Sequence, residues 1–187
     1  MIIATEPSTW QVERNDQPDE NTQTTLLNTT TSVLAHRNPP TPRQPETASD
    51  PRHPCSDQNY VGRWLAWADS QIVGAVTLER VFQHHPGRST WLESLAWPDQ
   101  QHHPVLLEIS GLLVHPDQEG NSLGQELVKT AAQAAYEIGC IPVTAAPADN
   151  ARSHTILAQA EMCPLRMFRN PSSGLWYLAF INSRSHQ

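Results

Sequence analysis

Apolar residues after residue 59 fall into runs that predict β-strands. The runs Tyr60–Trp67 and Ile72–Phe82 are rich in β-branched and aromatic residues and are separated by Ala-Asp-Ser-Gln, which predicts an antiparallel hairpin. The run Pro104–His115 is apolar almost throughout, as expected for a central strand that is covered on both faces. Three strands are therefore predicted before the first strong helical pattern in this part of the chain.

That helical pattern has apolar residues three and four positions apart, and it predicts a helix from about Leu123 to Ile138 that Gly139 closes. Because the apolar residues form one stripe, the helix is expected to pack against a sheet. A strand, a second helix and a pair of strands follow: Ile141–Ala146, Ala151–Ala160, Pro164–Arg169 and Gly174–Ile181. The order β, β, β, α, β, α, β, β predicts a mixed α/β sandwich.

The first sixty residues carry weaker patterns. A short helix is predicted over Thr24–His36, although its threonines lower the helix propensity. Residues 37–57 contain six prolines, which exclude a continuous helix or an interior strand and predict an insert or lid. At 187 residues the chain is too short for two domains of ordinary size, so residues 1–187 are predicted to form a single domain.

Charge and composition narrow the classes of function. The 12 Lys+Arg and 19 Asp+Glu residues give a net charge of −7, which argues against a protein that binds the phosphate backbone of nucleic acid. No stretch approaches the ~20 apolar residues of a membrane span, and residues 1–10 lack the pattern of an export signal. Three widely spaced cysteines without a CxxC pair indicate neither a disulfide framework nor a cysteine zinc site. A cytoplasmic protein without nucleic-acid or membrane partners is predicted.

Two histidine pairs, His84-His85 and His102-His103, raise the question of a metal site. Adjacent side chains on an extended chain point to opposite sides, and no carboxylate or thiol lies at the spacing of a closed site. We therefore predict exposed loop residues at these positions and no metal.

The passage that carries chemistry is the predicted strand, turn and helix from Leu112 to Val128. Backbone N–H groups at the start of a helix lack intrahelical partners and lie at the positive end of the helix dipole, so they form a ready phosphate site. Val114-His115-Pro116 ends the strand, and the loop reads Glu119-Gly120-Asn121-Ser122-Leu123-Gly124. This motif, with the order of elements over residues 60–182, resembles the GNAT acyltransferases. Their motif is a strand ending in apolar-x-Pro, then x-x-Arg/Gln-Gly-x-Gly-x-Gly/Ala and a helix.

The resemblance implies an α/β fold with a mixed, mostly antiparallel GNAT-like sheet, helices on both faces and central strands that splay apart. It implies that the protein moves an acetyl group from acetyl-CoA, as co-substrate, to a small-molecule or peptide amine by direct attack. It requires no metal and leaves a homodimer open.

The resemblance also assigns residues to the coenzyme. The amides of Leu112, Leu113 and Val114 would bind the pantetheine arm and the thioester carbonyl. Gly111, just before them, independently predicts a bulge or a close backbone approach. The residues assigned to the diphosphate loop and to the next segment are Glu119, Gly120, Asn121, Ser122, Leu123, Gly124, Gln125 and Asn150.

Glu108 lies on the same strand before Gly111, where the resemblance implies a base that deprotonates the acceptor directly or through water. Its apolar neighbours, among them Leu107 and Ile109, would partly desolvate it. The alternative interpretation is a strand-end carboxylate that faces solvent or pairs with an arginine.

Two loop positions depart from the family pattern. Glu119 stands where Arg or Gln is preferred, and Ser122 stands where Gly is preferred. A carboxylate about 6 Å from a diphosphate charge would cost about 3 kcal/mol at an effective dielectric constant near 20. Lys129 and Arg152 are candidate cations to offset this cost.

A third departure concerns the leaving group. Leu157 occupies the position of the family's tyrosine acid, and Ser153, Cys163 and Tyr177 are the candidates to replace it. These departures support a second hypothesis, in which the chain is a catalytically weak or inactive acyl-CoA sensor or a partner-binding module on the same scaffold.

Overall fold

Seven strands and two helices make up the described part of the chain. The computed structural model describes residues 10–16, 22, 60–80, 105–171 and 173–182. The strands are β1 (Gln11–Arg14), β2 (Tyr60–Ala68), β3 (Gln71–Arg80), β4 (Leu106–Val114), β5 (Ile141–Pro147), β6 (Met162–Arg169) and β7 (Trp176–Asn182). The helices are α1 (Leu123–Glu137) and α2 (Ala151–Gln159).

The seven strands form one mixed sheet in the order β1-β2-β3-β4-β5-β7-β6. Neighbouring strands are antiparallel except β4 and β5, which run parallel and are connected through α1. This arrangement confirms the α/β class and the mostly antiparallel sheet. The eight elements predicted after residue 59 are all present, with ends that differ by a few residues.

The main core lies between the sheet and the two helices. The side chains of Leu127, Val128 and Ala131 on α1 are fully buried in this cluster, and Leu157 of α2 joins it. Side chains alternate along a strand, so Leu65 and Val143, which belong to separate buried clusters, lie on the opposite face. Both faces of the sheet therefore carry buried apolar side chains.

Several predictions fall outside the described residues. They are the helix over Thr24–His36, the insert at 37–57, and the histidines His84, His85, His102 and His103. Of the helices that the structure describes, none is both long and apolar enough to cross a membrane.

Candidate active site

The parallel strands β4 and β5 pair over three positions and then separate. Their ladder begins at Leu106 opposite Ile141 and ends at Glu108 opposite Val143. β4 continues to Val114 and stays paired with β3 on its other side. Within the described residues, the β5-facing edge of β4 beyond Glu108 thus has no ladder partner, in agreement with the predicted splay.

A buried side-chain hydrogen bond spans the two strands just beyond the ladder. Thr144 Oγ1 on β5 donates to the carbonyl oxygen of Ile109 on β4 at 2.7 Å, and Thr144 is 7% exposed. Thr144 directly follows the last ladder residue of β5. The hydroxyl group therefore connects β4 and β5 at the point where the strands part.

The predicted bulge is present at Gly111. Its φ is +59°, in the left-handed region that favours glycine. Ser110 on β4 pairs with Thr77 on β3, and Leu113 pairs with Ala75. Two residues of β4 therefore lie between these pairs where β3 has one. The extra residue changes the alternation of side chains, so that Val114 belongs to the helix-side core while Leu113 packs on the other face.

The loop after β4 presents backbone N–H groups at the start of α1. After a 3-10 turn at Pro116–Gln118, Gly120 has a φ of +86° and Ser122 a φ of +62°. The first helical hydrogen bond runs from Glu126 N to Ser122 O at 3.1 Å. Among the described residues, the amides of residues 122–125 have no hydrogen-bond partner, and the Ser122 side chain does not cap the helix. They are therefore available to bind an anion.

The left-handed backbone of Ser122 gives a physical reason for the family's preference for glycine at this position. We expect Ser122→Gly to raise the free energy of unfolding by about 0.5 kcal/mol, because relief of the left-handed strain exceeds the added entropy of the unfolded chain. Ser153→Gly inside α2 is the control and should lower it by about 1 kcal/mol. Urea denaturation of both variants tests the difference, and equal destabilisation would contradict the strain.

A cavity of about 640 Å³ opens where β4, the loop and the starts of both helices meet. Nine residues assigned to the coenzyme line it: Leu112, Val114, Glu119, Gly120, Ser122, Leu123, Gly124, Gln125 and Asn150. Leu113 does not, since its side chain packs on the opposite face of the sheet. Asn121 does not either, and its side-chain amide donates to Gln118 Oε1 at 3.4 Å.

The second wall of the cavity comes from α2 and was largely missed by sequence reasoning. The α2 residues that line it are Arg152, Ser153, Thr155, Ile156 and Gln159. Asn150 caps this helix, because its Oδ1 accepts a hydrogen bond from Ser153 N at 3.1 Å. The Asn-x-x-Ser sequence at a helix start was the available signal.

Gly124 allows α1 to approach α2 and β4 closely. A Cβ atom on Gly124 would lie 3.2 Å from Ile156 Cδ1 and 3.4 Å from Val114 Cγ2. Ile156 and Val114 both line the cavity. A side chain at position 124 would therefore point at a wall of the cavity.

The Glu119 carboxylate is neutralised by a cation from the opposite wall. Glu119 Oε2 forms an ion pair with Arg152 Nη1, and the two side chains are 29% and 46% exposed, respectively. Lys129, the other candidate, lies 3.7 Å from Glu126 on its own helix and does not line the cavity. Of the two candidate cations, Arg152 is the one that reaches Glu119.

Glu108 is buried at the apex where β4 and β5 part. It is 9% exposed, which contradicts a solvent-facing carboxylate, while the other alternative, a pair with an arginine, stays a prediction. Glu79 lies directly opposite on β3, and its carboxylate accepts a hydrogen bond from Ser110. The structure therefore places a second carboxylate beside Glu108.

The candidates to replace the missing tyrosine lie in different places. Leu157 is 4% exposed within the main core. Tyr177 stacks on Phe168 with ring centroids 5.8 Å apart, and Cys163 is exposed on β6. Of the three candidates, Ser153 is the one that lines the cavity.

Comparison with known proteins gives the same fold. The solved structures that resemble this chain include Arabidopsis thaliana NAA60 in complex with acetyl-CoA (14% identity, 92% of this chain and 97% of that chain, TM-score 0.63), yncA from Salmonella typhimurium with its cofactor acetyl-CoA (14%, 92% and 92%, 0.61), and an acyl-CoA N-acyltransferase from Pseudomonas aeruginosa (14%, 94% and 99%, 0.58). A comparison with curated proteins finds no match. The family model for the acetyltransferase (GNAT) family matches residues 29–159, which is more than half of the chain. The chain therefore belongs to the GNAT acetyltransferase family.

Proposed function

We propose that this protein transfers an acetyl group from acetyl-CoA to an amine acceptor. One juxtaposition carries the proposal: the unpartnered amides at the start of α1 and the separated segment of β4 open on the same cavity. Leu112 and Val114 belong to that segment and line the cavity. An anion site and an open strand edge are the two features needed to orient a long thioester ligand.

The cavity residues fit a coenzyme with a diphosphate and an amide-containing arm. The amides of residues 122–125 would hold the diphosphate at the positive end of the α1 dipole. The β5-facing edge of β4 from Leu112 to Val114 offers backbone groups to the arm, as a neighbouring strand would. The volume of about 640 Å³ lies within the range of small-molecule sites. When bound, acetyl-CoA supplies the activated acetyl group.

Glu108 would act on the acceptor. An amine attacks a thioester in its neutral form, so a base has to take its proton. Glu108 sits at the apex of the gap, at the last ladder position before the separated segment. We assign it the role of accepting that proton directly or through one water.

The backbone of β4 and Ser153 would act on the thioester. The amides of Leu112 and Val114 would donate hydrogen bonds to the thioester carbonyl oxygen as it gains negative charge, since the His115 amide donates to Val73 O on β3 and the amides of a strand alternate in direction. Ser153, on the α2 wall, is assigned to the departing sulfur. Since a thiol has an ordinary pKa of about 8.5, its thiolate leaves without a strong acid, which makes the absence of a tyrosine at Leu157 tolerable.

A second candidate function is an acyl-CoA sensor or partner-binding module without efficient turnover. Two observations favour it: Glu119 places a carboxylate in the anion site, and Leu157 is buried where the family has a phenol. The acetyltransferase and the acyl-CoA sensor both require coenzyme binding, so these two functions differ in turnover alone.

Two measurements on the full chain test the proposal. Isothermal calorimetry with acetyl-CoA measures binding, and release of free thiol with a panel of small-molecule amines and peptides measures turnover. We expect binding with thiol release. Binding without release would favour the sensor, and no binding at about 1 mM, a free energy weaker than about −4 kcal/mol, would contradict both functions.

A further inference from the structure

We propose that Arg152 is a coenzyme-binding residue of this chain, which neutralises Glu119 and donates its remaining N–H groups to the same diphosphate. The inference rests on the proposed function, because it names a residue of the proposed coenzyme site. It goes beyond that function in explaining how the site tolerates a carboxylate.

The geometry places the pair across the cavity. Glu119 comes from the loop before α1, and Arg152 lies in the first turn of α2, so the ion pair connects the two walls. Among the described residues that line the cavity, Glu119 is the one carboxylate and Arg152 the one cation. Removal of Arg152 would therefore leave the described lining with a net negative charge.

The chemistry of the guanidinium group permits both contacts at once. Its five N–H donors form a planar fork, and Glu119 engages one terminal nitrogen, Nη1. The other donors remain for an anion bound at the neighbouring amides of residues 122–125. An arginine shared in this way keeps the carboxylate turned toward α2 and adds positive charge at the anion site.

Four proteins measure the two contributions: the natural chain, Arg152→Ala, Glu119→Gln and the double variant, each titrated with CoA by calorimetry. We expect Arg152→Ala to weaken CoA binding about tenfold when Glu119 is present and about threefold when residue 119 is glutamine. Glu119→Gln alone should tighten binding about threefold, because Arg152 is then free for the anion. Lys129→Ala removes an equal charge outside the cavity and should leave affinity within twofold.

The outcomes separate this inference from the proposed function. If the natural chain binds CoA and Arg152→Ala binds it equally well, Arg152 has no role and the inference fails alone. Equal losses in the two backgrounds would overturn the neutralisation of Glu119, and a loss confined to the Glu119 background would overturn the direct contact.

Repeating the titration with CoA that lacks the 3′-phosphate distinguishes the phosphates of the coenzyme. We expect the same losses of affinity. If the losses disappear, Arg152 binds the 3′-phosphate, and the diphosphate contact is overturned. If the natural chain binds no CoA, the proposed function itself fails.

Discussion

Glu108→Gln is expected to lower the rate of acetyl transfer by about 100- to 1,000-fold, in the lower part of the roughly 100- to 10,000-fold contribution of a positioned general base. The substitution preserves the size of the side chain and removes its capacity to accept a proton. Glu108 lies at the apex of the gap between β4 and β5, outside the cavity lined by the diphosphate loop, so the affinity for CoA should change by less than threefold. Thiol release with saturating acetyl-CoA measures the rate, and calorimetry measures the affinity.

The matched control for this variant is Glu79→Gln. Glu79 lies opposite Glu108 in the sheet, but its carboxylate already accepts a hydrogen bond from Ser110. We expect its rate to stay within about fivefold of the natural chain, a modest electrostatic effect of a neighbouring charge. A rate for Glu108→Gln no lower than that of Glu79→Gln would mean that the base lies elsewhere.

Gly124→Val is expected to weaken CoA binding by 10- to 100-fold, or about 1.4–2.7 kcal/mol. A Cβ at this position would meet Ile156 Cδ1 at 3.2 Å and Val114 Cγ2 at 3.4 Å, and the two further methyl groups of valine have to displace one wall of the cavity. The displacement widens the contact between α1 and α2 at the point where the loop amides would hold the diphosphate. Calorimetry with CoA measures the loss.

A graded series separates crowding from a loss of helix stability. Gly124→Ala should cost less than threefold in affinity, because its single methyl group meets the movable end of Ile156. Gln133→Val places the same β-branched residue on an exposed face of α1 and should leave affinity unchanged at a cost of at most about 0.7 kcal/mol in stability. Affinity that is intact in Gly124→Val would contradict the placement of the coenzyme beside this helix start.

The central strand and its bulge could be predicted because the signal is local. A glycine inside an apolar run has few explanations, and Gly111 has the left-handed backbone that such a position requires. The stripe of α1 was equally clear, since Leu127 and Ala131 repeat at helical spacing and are fully buried. Patterns of this kind depend on neighbours in sequence, so they can be read without knowledge of tertiary contacts.

Strand β1 could not be predicted, for a physical reason. Its sequence Gln-Val-Glu-Arg has no alternation of apolar and polar residues, and its side chains are mostly exposed at an edge of the sheet. Backbone pairing with β2 holds it in place, together with an Arg14 guanidinium that donates to Val61 O and lies 5.7 Å from the Trp64 ring. These contacts join residues some fifty positions apart, which no local pattern reveals.

The partner of Glu119 illustrates the same limit within the site. Sequence reasoning identified the uncompensated carboxylate and proposed Lys129 or Arg152 with equal weight. The choice depends on how α2 packs beside α1, and that packing passes through Gly124 and Ile156. Which cation pairs with a carboxylate across a cavity depends on the tertiary structure. That Glu119 needs a cation near a diphosphate could be inferred from the residue types alone.

A crystal structure of the protein with acetyl-CoA tests the central claim most directly. We expect the diphosphate within hydrogen-bond distance of backbone nitrogens between residues 120 and 125, and the thioester beside the separated segment of β4 beyond Glu108. A coenzyme bound elsewhere, or strands β4 and β5 paired along their full length in the complex, would contradict it.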